Sequence, residues 1–385
     1  MAKVAHQPSP NGVGTLQTQV PSEPIRPDYG GACLTELVAA VLAGAATDWL
    51  PADVSEAASV ILLVIDGLGW RTLETHPDAI PTLQGLDRRL LTTVAPSTTA
   101  AALTSLMTGT APAEHGLVGY RMRMESGILD VLKWSMGDGR PGGPPSDVAP
   151  VPAFAGAPVP VITRREFRFG GFTAAHLRGA RLLGWKALST LVVHCRNLAE
   201  AKERLGIAYY DGIDWVAHRF GLRDTYFSAE LRSVDRLVAD LLTTLPRGTA
   251  VLVTADHGHV HLEEWIRLDS LAGLIEDYAG DARFRYLYAR PGAAVELESA
   301  AHELFGADAW VFSRAPLLDE GWFGPRPPEA AVADRIGDVV LAARRPVAFL
   351  DPTHPIEASL QSAHGSLTAH EMLVPLLIGW AGAGP

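Results

Sequence analysis

The chain has 385 residues, 48% of them hydrophobic and 19% charged, with a formal net charge of -11, enough for a sizeable core in one large domain or two smaller ones. The acidic balance argues against non-specific binding to a nucleic acid polymer or an anionic membrane, since both reward a basic surface. It does not argue against a small anionic substrate, whose site is set by local charge or by a metal.

Residues 1–28 are rich in Pro, Gln, Ser and Gly and lack the apolar stretch of a secretory leader, so a flexible segment is expected there. No run of 18 apolar residues occurs, so no membrane span and a cytoplasmic location are expected. Two cysteines, Cys33 and Cys195, exclude a disulfide framework and a cysteine-rich zinc site. Residues 34–42 have helical spacing, and 60–65 read as a buried strand that ends in Asp66, Gly67 and Gly69. Residues 92–95 are extended up to Pro96, and 99–107 read as a helix. The Pro- and Gly-rich stretch 137–161 reads as a long surface loop. Residues 191–194 are expected as a strand, 198–204 as a helix and 207–210 as a strand. Residues 228–245 form an amphipathic pattern with Leu231, Val234, Leu237, Val238, Leu241 and Leu242 on one face. Residues 250–254 are another buried strand, followed by RYLYAR, a helix over 295–304, AWVFSR and IGDVVLAAR. Short apolar strands alternating with helices predict an α/β fold with a mostly parallel sheet.

In such sheets ligands sit beyond the carboxyl ends of the strands. Acidic and imidazole side chains recur there: Asp66 after VILLVI, Asp214 and His218 after IAYY, Asp256 and His257 after AVLVTA, and His364 in SAHGS. Each alone is ordinary, because an Asp after a strand is commonly a turn or cap. Together they are the ligand types that suit zinc and related divalent ions. The D-x-x-x-H spacing puts Asp214 and His218 on one side of a helix. The stretch PSTTAAALTSLMTG adds hydroxyls at Ser97, Thr98 and Thr99 at a helix start, where free N–H groups and the dipole favour phosphate. Beside a divalent ion such a hydroxyl becomes a nucleophile. A plain N-cap is the alternative there.

The order of these pieces resembles the alkaline phosphatase superfamily and, within it, the nucleotide pyrophosphatase/phosphodiesterase branch. The stretches VIDGLG, APSTTAAALTSLMTGTAPAEHG, YYDGIDWVAHRFG, VTADHGH and AHGSLTAHEM carry it, over about 60–375. The resemblance implies a three-layer α/β fold with helices on both faces of the sheet and a catalytic domain over 29–385, with 265–350 as a cap or insert. It also implies two divalent metal ions, zinc before manganese or iron. One would be held by Asp66, Thr99, Asp256 and His257, the other by Asp214, His218 and His364. Thr99 would be the nucleophile, with Thr98 its nearest competitor, and a phospho-threonine would form and be hydrolysed. The substrate would be a small phosphate ester or nucleotide, with a diester favoured because no Arg lies between Arg89 and Arg121 to hold a dianion. Phosphomonoesterase, phosphonate hydrolase and a non-catalytic metal-binding protein are the alternatives. The resemblance departs at Ala102, where the branch carries an Asn that donates to phosphate. A dinucleotide loop at Asp66 is rejected, because Thr72 stands where the third glycine belongs.

Of the remaining polar and aromatic residues, His259 and His261 are expected beside the site, with a ligand role as the alternative, and His115 and His370 are expected to be structural. Tyr120, Arg121, Arg123, Trp134, Phe167, Phe169 and Phe172 are read as core or as leaving-group pocket. The sequence names neither the substrate-binding residues nor the oligomeric state.

Overall fold

A computed structural model describes residue 21 and residues 23–382. Its larger strands are β1 (Val60–Ile65), β2 (Asp87–Thr92), β3 (Pro160–Arg164), β4 (Arg181–Trp185), β5 (Leu205–Tyr210), β6 (Ala250–Thr254), β7 (Ile275–Gly280), β8 (Phe284–Ala289), β9 (Ala309–Ser313), β10 (Val339–Ala343) and β11 (Leu373–Trp380). A seven-stranded central sheet runs β2–β11–β6–β1–β5–β3–β4. From β6 to β4 the neighbours are parallel, while β11 pairs antiparallel with both β6 and β2. All six residues of β1 are buried, as a central parallel strand covered on both faces requires.

The larger helices are α1 (Leu34–Ala43), α2 (Thr99–Thr108), α3 (Leu188–Glu200), α4 (Gly212–Phe220), α5 (Thr225–Thr244) and α6 (Ala294–Phe305). α1 packs on α2, and α5 packs on both α3 and α4. These two groups are the helical layers on either side of the sheet. Residues 191–194, expected as a strand, lie inside α3. Leu191, Cys195, Leu198 and Ala199 are the buried residues of that helix, a spacing of four, seven and eight that marks one helical face, whereas the short run LVV is ambiguous on its own. The extended stretch expected over 92–95 is strand only at Thr92, where β2 ends. The loop expected over 137–161 contains short helical turns at Pro145–Val148 and Ala153–Gly156 and runs into β3 at Pro160.

Within 265–350, β7–β8–β10–β9 form an antiparallel sheet with its own apolar cluster around Leu287, Leu297, Phe305 and Leu341. This sheet is fastened to the rest of the chain by Tyr286, whose hydroxyl donates to the Val118 carbonyl at 2.6 Å. Buried Arg283 adds a bidentate pair with Glu371, at 2.8 and 3.0 Å. Most of the segment expected to be flexible, 1–28, lies outside the described residues. Residues 23–28 follow the body of the protein, with Ile25 N donating to Leu367 O at 2.8 Å. No helix among the described residues is long and apolar enough to cross a membrane.

His115 is fully buried between α2 and the turn that follows it. Its Nδ1 accepts from Leu117 N at 3.1 Å, so its Nε2 donates to Ser105 Oγ at 2.9 Å. Burial pushes its pKa from 6.5 down to about 3. A folded-state pKa below the unfolded value means stability that is complete above pH 6.5 and is lost as the pH falls towards 3. The loss approaches roughly 1.4 kcal/mol per pH unit inside that window. His115→Gln, which cannot titrate, should flatten the fall in melting temperature below pH 6.5. An unchanged slope would show that other groups set acid stability.

Candidate active site

β1, β5 and β6 lie side by side and parallel, so their carboxyl ends open on one edge of the sheet. Asp66 follows β1 directly, and its amide continues the ladder by donating to Tyr210 O at 2.9 Å. Asp256 follows β6. α4 starts two residues after β5 ends, which places Asp214 in its first turn and His218 one turn later. Gly67, at φ 78°, turns the chain away from the strand where a side chain would collide: an added Cβ would stand 2.7 Å from His259 Nε2. At Gly69 a Cβ would meet the Gly258 Cα at 2.5 Å. The two glycines after Asp66 are therefore the space into which the segment carrying Asp256, His257 and His259 fits.

Asp66, Asp256 and His257 form one group of close ligand atoms. His257 Nε2 lies 3.3 Å from Asp66 Oδ1 and 3.5 Å from Asp256 Oδ2. Those two carboxylate oxygens are buried and make no hydrogen bond. The other oxygens are held: Asp66 Oδ2 accepts from the Tyr209 hydroxyl, and Asp256 Oδ1 accepts from Gly67 N and His257 N at 3.2 and 3.1 Å. Asp214 joins two further groups, one with His218 and His259 and one with His257 and His364. Its Oδ1 lies 3.2 Å from His218 Nε2, 3.0 Å from His259 Nε2 and 3.7 Å from His364 Nε2. Carboxylate and imidazole donors converging from several elements, with two oxygens unpaired, fit a divalent cation.

The electrostatics say the same. Burial drives the Asp256 carboxyl well above its usual range, and the charge of Asp66 adds to this. Burial works to lower the pKa of His257, but Asp256 and Asp66 outweigh it and carry the imidazole up to about 10. Burial works to raise Asp214, and His218 outweighs it, holding the carboxyl well below its ordinary value. Protons on imidazole thus balance the packed carboxylates, a task a divalent ion would take over.

Thr99 opens α2 and its Oγ1 lies 3.1 Å from His257 Nε2. Thr98 is the N-cap of the same helix, its Oγ1 accepting from Ala101 N at 3.4 Å. The first amides of a helix have no partner within it, so those of Thr99 and Ala100 are available to an anion. Thr99, Leu103 and Met107, each four residues on from the last, line one cavity of about 360 Å³ with Phe167, Phe172 and Trp215. Thr99 also lines a second cavity of about 460 Å³, with Tyr120, Lys133, Asp281, His354 and Glu357. Ala102 is fully buried and lines neither cavity.

The residues singled out by sequence divide clearly. Asp66, Thr99, Asp214, His218, Asp256, His257 and His364 converge on one place. His259 stands among them, while His261 lies apart from the groups of close ligand atoms found among the described residues. His370 is not in those groups either, and its backbone carbonyl packs beside Gly258. Arg121 is buried and paired with Asp351, and Arg123 covers the Tyr288 ring at 3.9 Å. Trp134 is buried, Phe169 is exposed, and Phe167 and Phe172 line the first cavity. Sequence reasoning missed Glu371, which accepts from Ser366 N at 2.9 Å and Thr368 Oγ1 at 2.6 Å and so shapes the loop after His364. It also missed Tyr209, which orients Asp66. Both sit inside quoted motifs, but the role of Tyr209 depends on a pairing across the fold and that of Glu371 on the turn it closes.

The sequence matches the type I phosphodiesterase/nucleotide pyrophosphatase family over residues 60–178 and 175–367. Among curated proteins no sequence matches. Solved structures share the fold, two of them as follows. Murine ectonucleotide pyrophosphatase/phosphodiesterase 5 superposes with a TM-score of 0.64 at 16% identity, over 83% of this chain and 87% of that one. Phosphonoacetate hydrolase from Sinorhizobium meliloti 1021, in complex with phosphonoformate, gives 0.62 at 18% identity, over 83% and 89%. The murine protein has also been solved in an inactive form with AMP.

Proposed function

The chain belongs to the type I phosphodiesterase/nucleotide pyrophosphatase family and is a hydrolase of phosphoric esters, and we propose that it cleaves a small phosphodiester or nucleotide pyrophosphate with Thr99 as nucleophile and two divalent cations, zinc before manganese or iron. The observation that carries the diester reading is the position of Thr99, where two cavities meet. A diester needs room for an organic arm on each side of phosphorus. Leu103, Met107, Phe167, Phe172 and Trp215 suit an apolar or aromatic arm on one side. Tyr120, Lys133 and His354 suit a polar arm on the other.

Asp66, Asp256 and His257 would hold one cation beside Thr99, and Asp214, His218 and His364 the other. When bound, the ions would polarise the phosphoryl group and make the Thr99 hydroxyl easier to deprotonate. Thr99 Oγ1 then attacks phosphorus, the bond to the departing ester oxygen breaks, and that arm leaves. The α2 amides donate to a phosphoryl oxygen as charge grows on it. Water next attacks phosphorus from the vacated side, releasing the second arm as a phosphomonoester and returning Thr99.

The test is the ratio of rates on bis-nitrophenyl and mono-nitrophenyl phosphate with zinc-loaded protein. The diester should react faster, and Phe167→Ala should raise its KM by roughly three- to tenfold with little change in kcat, the loss of about 1 kcal/mol of aromatic contact. A faster monoester would instead point to a phosphomonoesterase.

A further inference from the structure

We infer that His259 is a direct ligand of the cation beside Asp214, so that four protein donors, Asp214, His218, His259 and His364, close that half of the site. The inference rests on the metal reading above and adds a residue to it.

Three imidazole Nε2 atoms surround Asp214 Oδ1, and His259 is the nearest, at 3.0 Å against 3.2 Å for His218 and 3.7 Å for His364. The far side of each ring is already engaged. His218 Nδ1 meets Ser362 O at 2.8 Å and His364 Nδ1 meets Ser97 O at 3.0 Å. A carbonyl only accepts, so both Nδ1 atoms carry a proton, and each ring turns its Nε2 towards the carboxylate, where it offers a lone pair to a metal ion once any second proton is displaced. His259 Nδ1 meets Ser362 Oγ at 3.2 Å, a hydroxyl able to accept from it when Nε2 is given to a metal ion. Nitrogens facing a carboxylate oxygen at this range need a proton or a metal ion between them, and a single divalent ion serves all three at once. An Nδ1 hydrogen bond behind a ligating imidazole is the usual way a protein fixes such a ring.

The place for His259 is also built. Its side chain is 1% exposed, and its Nε2 occupies the space that a Cβ on Gly67 would invade at 2.7 Å. Four protein donors make a closed zinc site, whereas a catalytic zinc keeps a position free. The Asp66, Asp256 and His257 group, beside Thr99, offers three side chains. The two halves are therefore unequal: a tightly held ion at Asp214 and an open one at Thr99.

The test is a crystal structure of zinc-loaded protein with anomalous scattering. An ion bonded to His259 Nε2 at about 2.0–2.1 Å is expected. An ion on Asp214, His218 and His364, with His259 Nε2 beyond bonding reach and hydrogen-bonded to Asp214, would overturn the inference and leave the two-metal reading intact. Absence of ions from both halves would instead overturn the metal reading itself, and His259 with it. In chelator competition, His259→Ala and His259→Gln should each weaken one of two zinc sites by more than about 100-fold, above the range for a residue that only supports a ligand. His261→Ala should weaken neither. A loss below about 100-fold in both His259 variants would count against ligation.

Discussion

Thr99→Ala is expected to lower phosphodiester turnover by about 10⁴-fold or more while zinc still binds. Losing the nucleophile of a covalent mechanism removes the route itself, and single losses of this kind reach about 10⁶-fold in a well-studied protease. Zinc is retained because the carboxylates and imidazoles that gather here do so without Thr99: Asp66, Asp256 and His257 form one group, and Asp214 links the others. The neighbouring hydroxyl makes the control. Thr98 is the N-cap of α2, so Thr98→Ala should cost about 1 kcal/mol of stability and change turnover far less. Survival of activity in Thr99→Ala with loss in Thr98→Ala would move the nucleophile by one residue.

Asp256→Asn is expected to act in opposite directions on stability and on function. Asp256 is fully buried and Asp66 nearly so. One oxygen of Asp256 is paired with two amides, which the Asn carbonyl would keep, and the other has no hydrogen bond. Without metal, a carboxylate raised well above its usual pKa by burial and by Asp66 makes the folded state less stable as the pH climbs past its unfolded value near 3.8. An amide has no such charge. The metal-free variant should therefore melt above the metal-free parent at neutral pH, by roughly 1–3 kcal/mol of stability. It should also lose most of the zinc-induced rise in melting temperature and most of its activity, because a ligand is gone. A variant that melts lower in chelator and still responds fully to zinc would show that Asp256 is a structural carboxylate.

Much of the site was legible because its residues are tied to strand ends. Once β1, β5 and β6 are recognised as buried parallel strands, Asp66, Asp214 and Asp256 must share an edge. His218 follows from helical spacing, and His257 from its neighbour. His364 depended on the motif resemblance, because the loop that carries it is brought in by a long-range contact with Ser97. His259 was visible in the sequence but not its role, since the pattern D-H-G-H does not say that Gly67, some 190 residues earlier, leaves room for that ring. The misreading of 191–194 as a strand has a similar cause: the three apolar residues before His194 carry no period until Cys195, Leu198 and Ala199 are counted with them. Ala102 was weighed as a missing donor from its offset to Thr99 alone, and that offset does not carry its burial. The order of the central sheet, with β11 inserted antiparallel between β2 and β6, follows from no local pattern.

The central claim is that the paired ligand groups around Thr99 hold metal for phosphodiester cleavage. Its most direct test is to strip the full chain with chelator and follow bis-nitrophenyl phosphate turnover as zinc is returned. Turnover should be absent in the stripped protein and rise until two equivalents are bound. Failure of zinc, manganese and iron alike to restore turnover of any phosphate ester would contradict it.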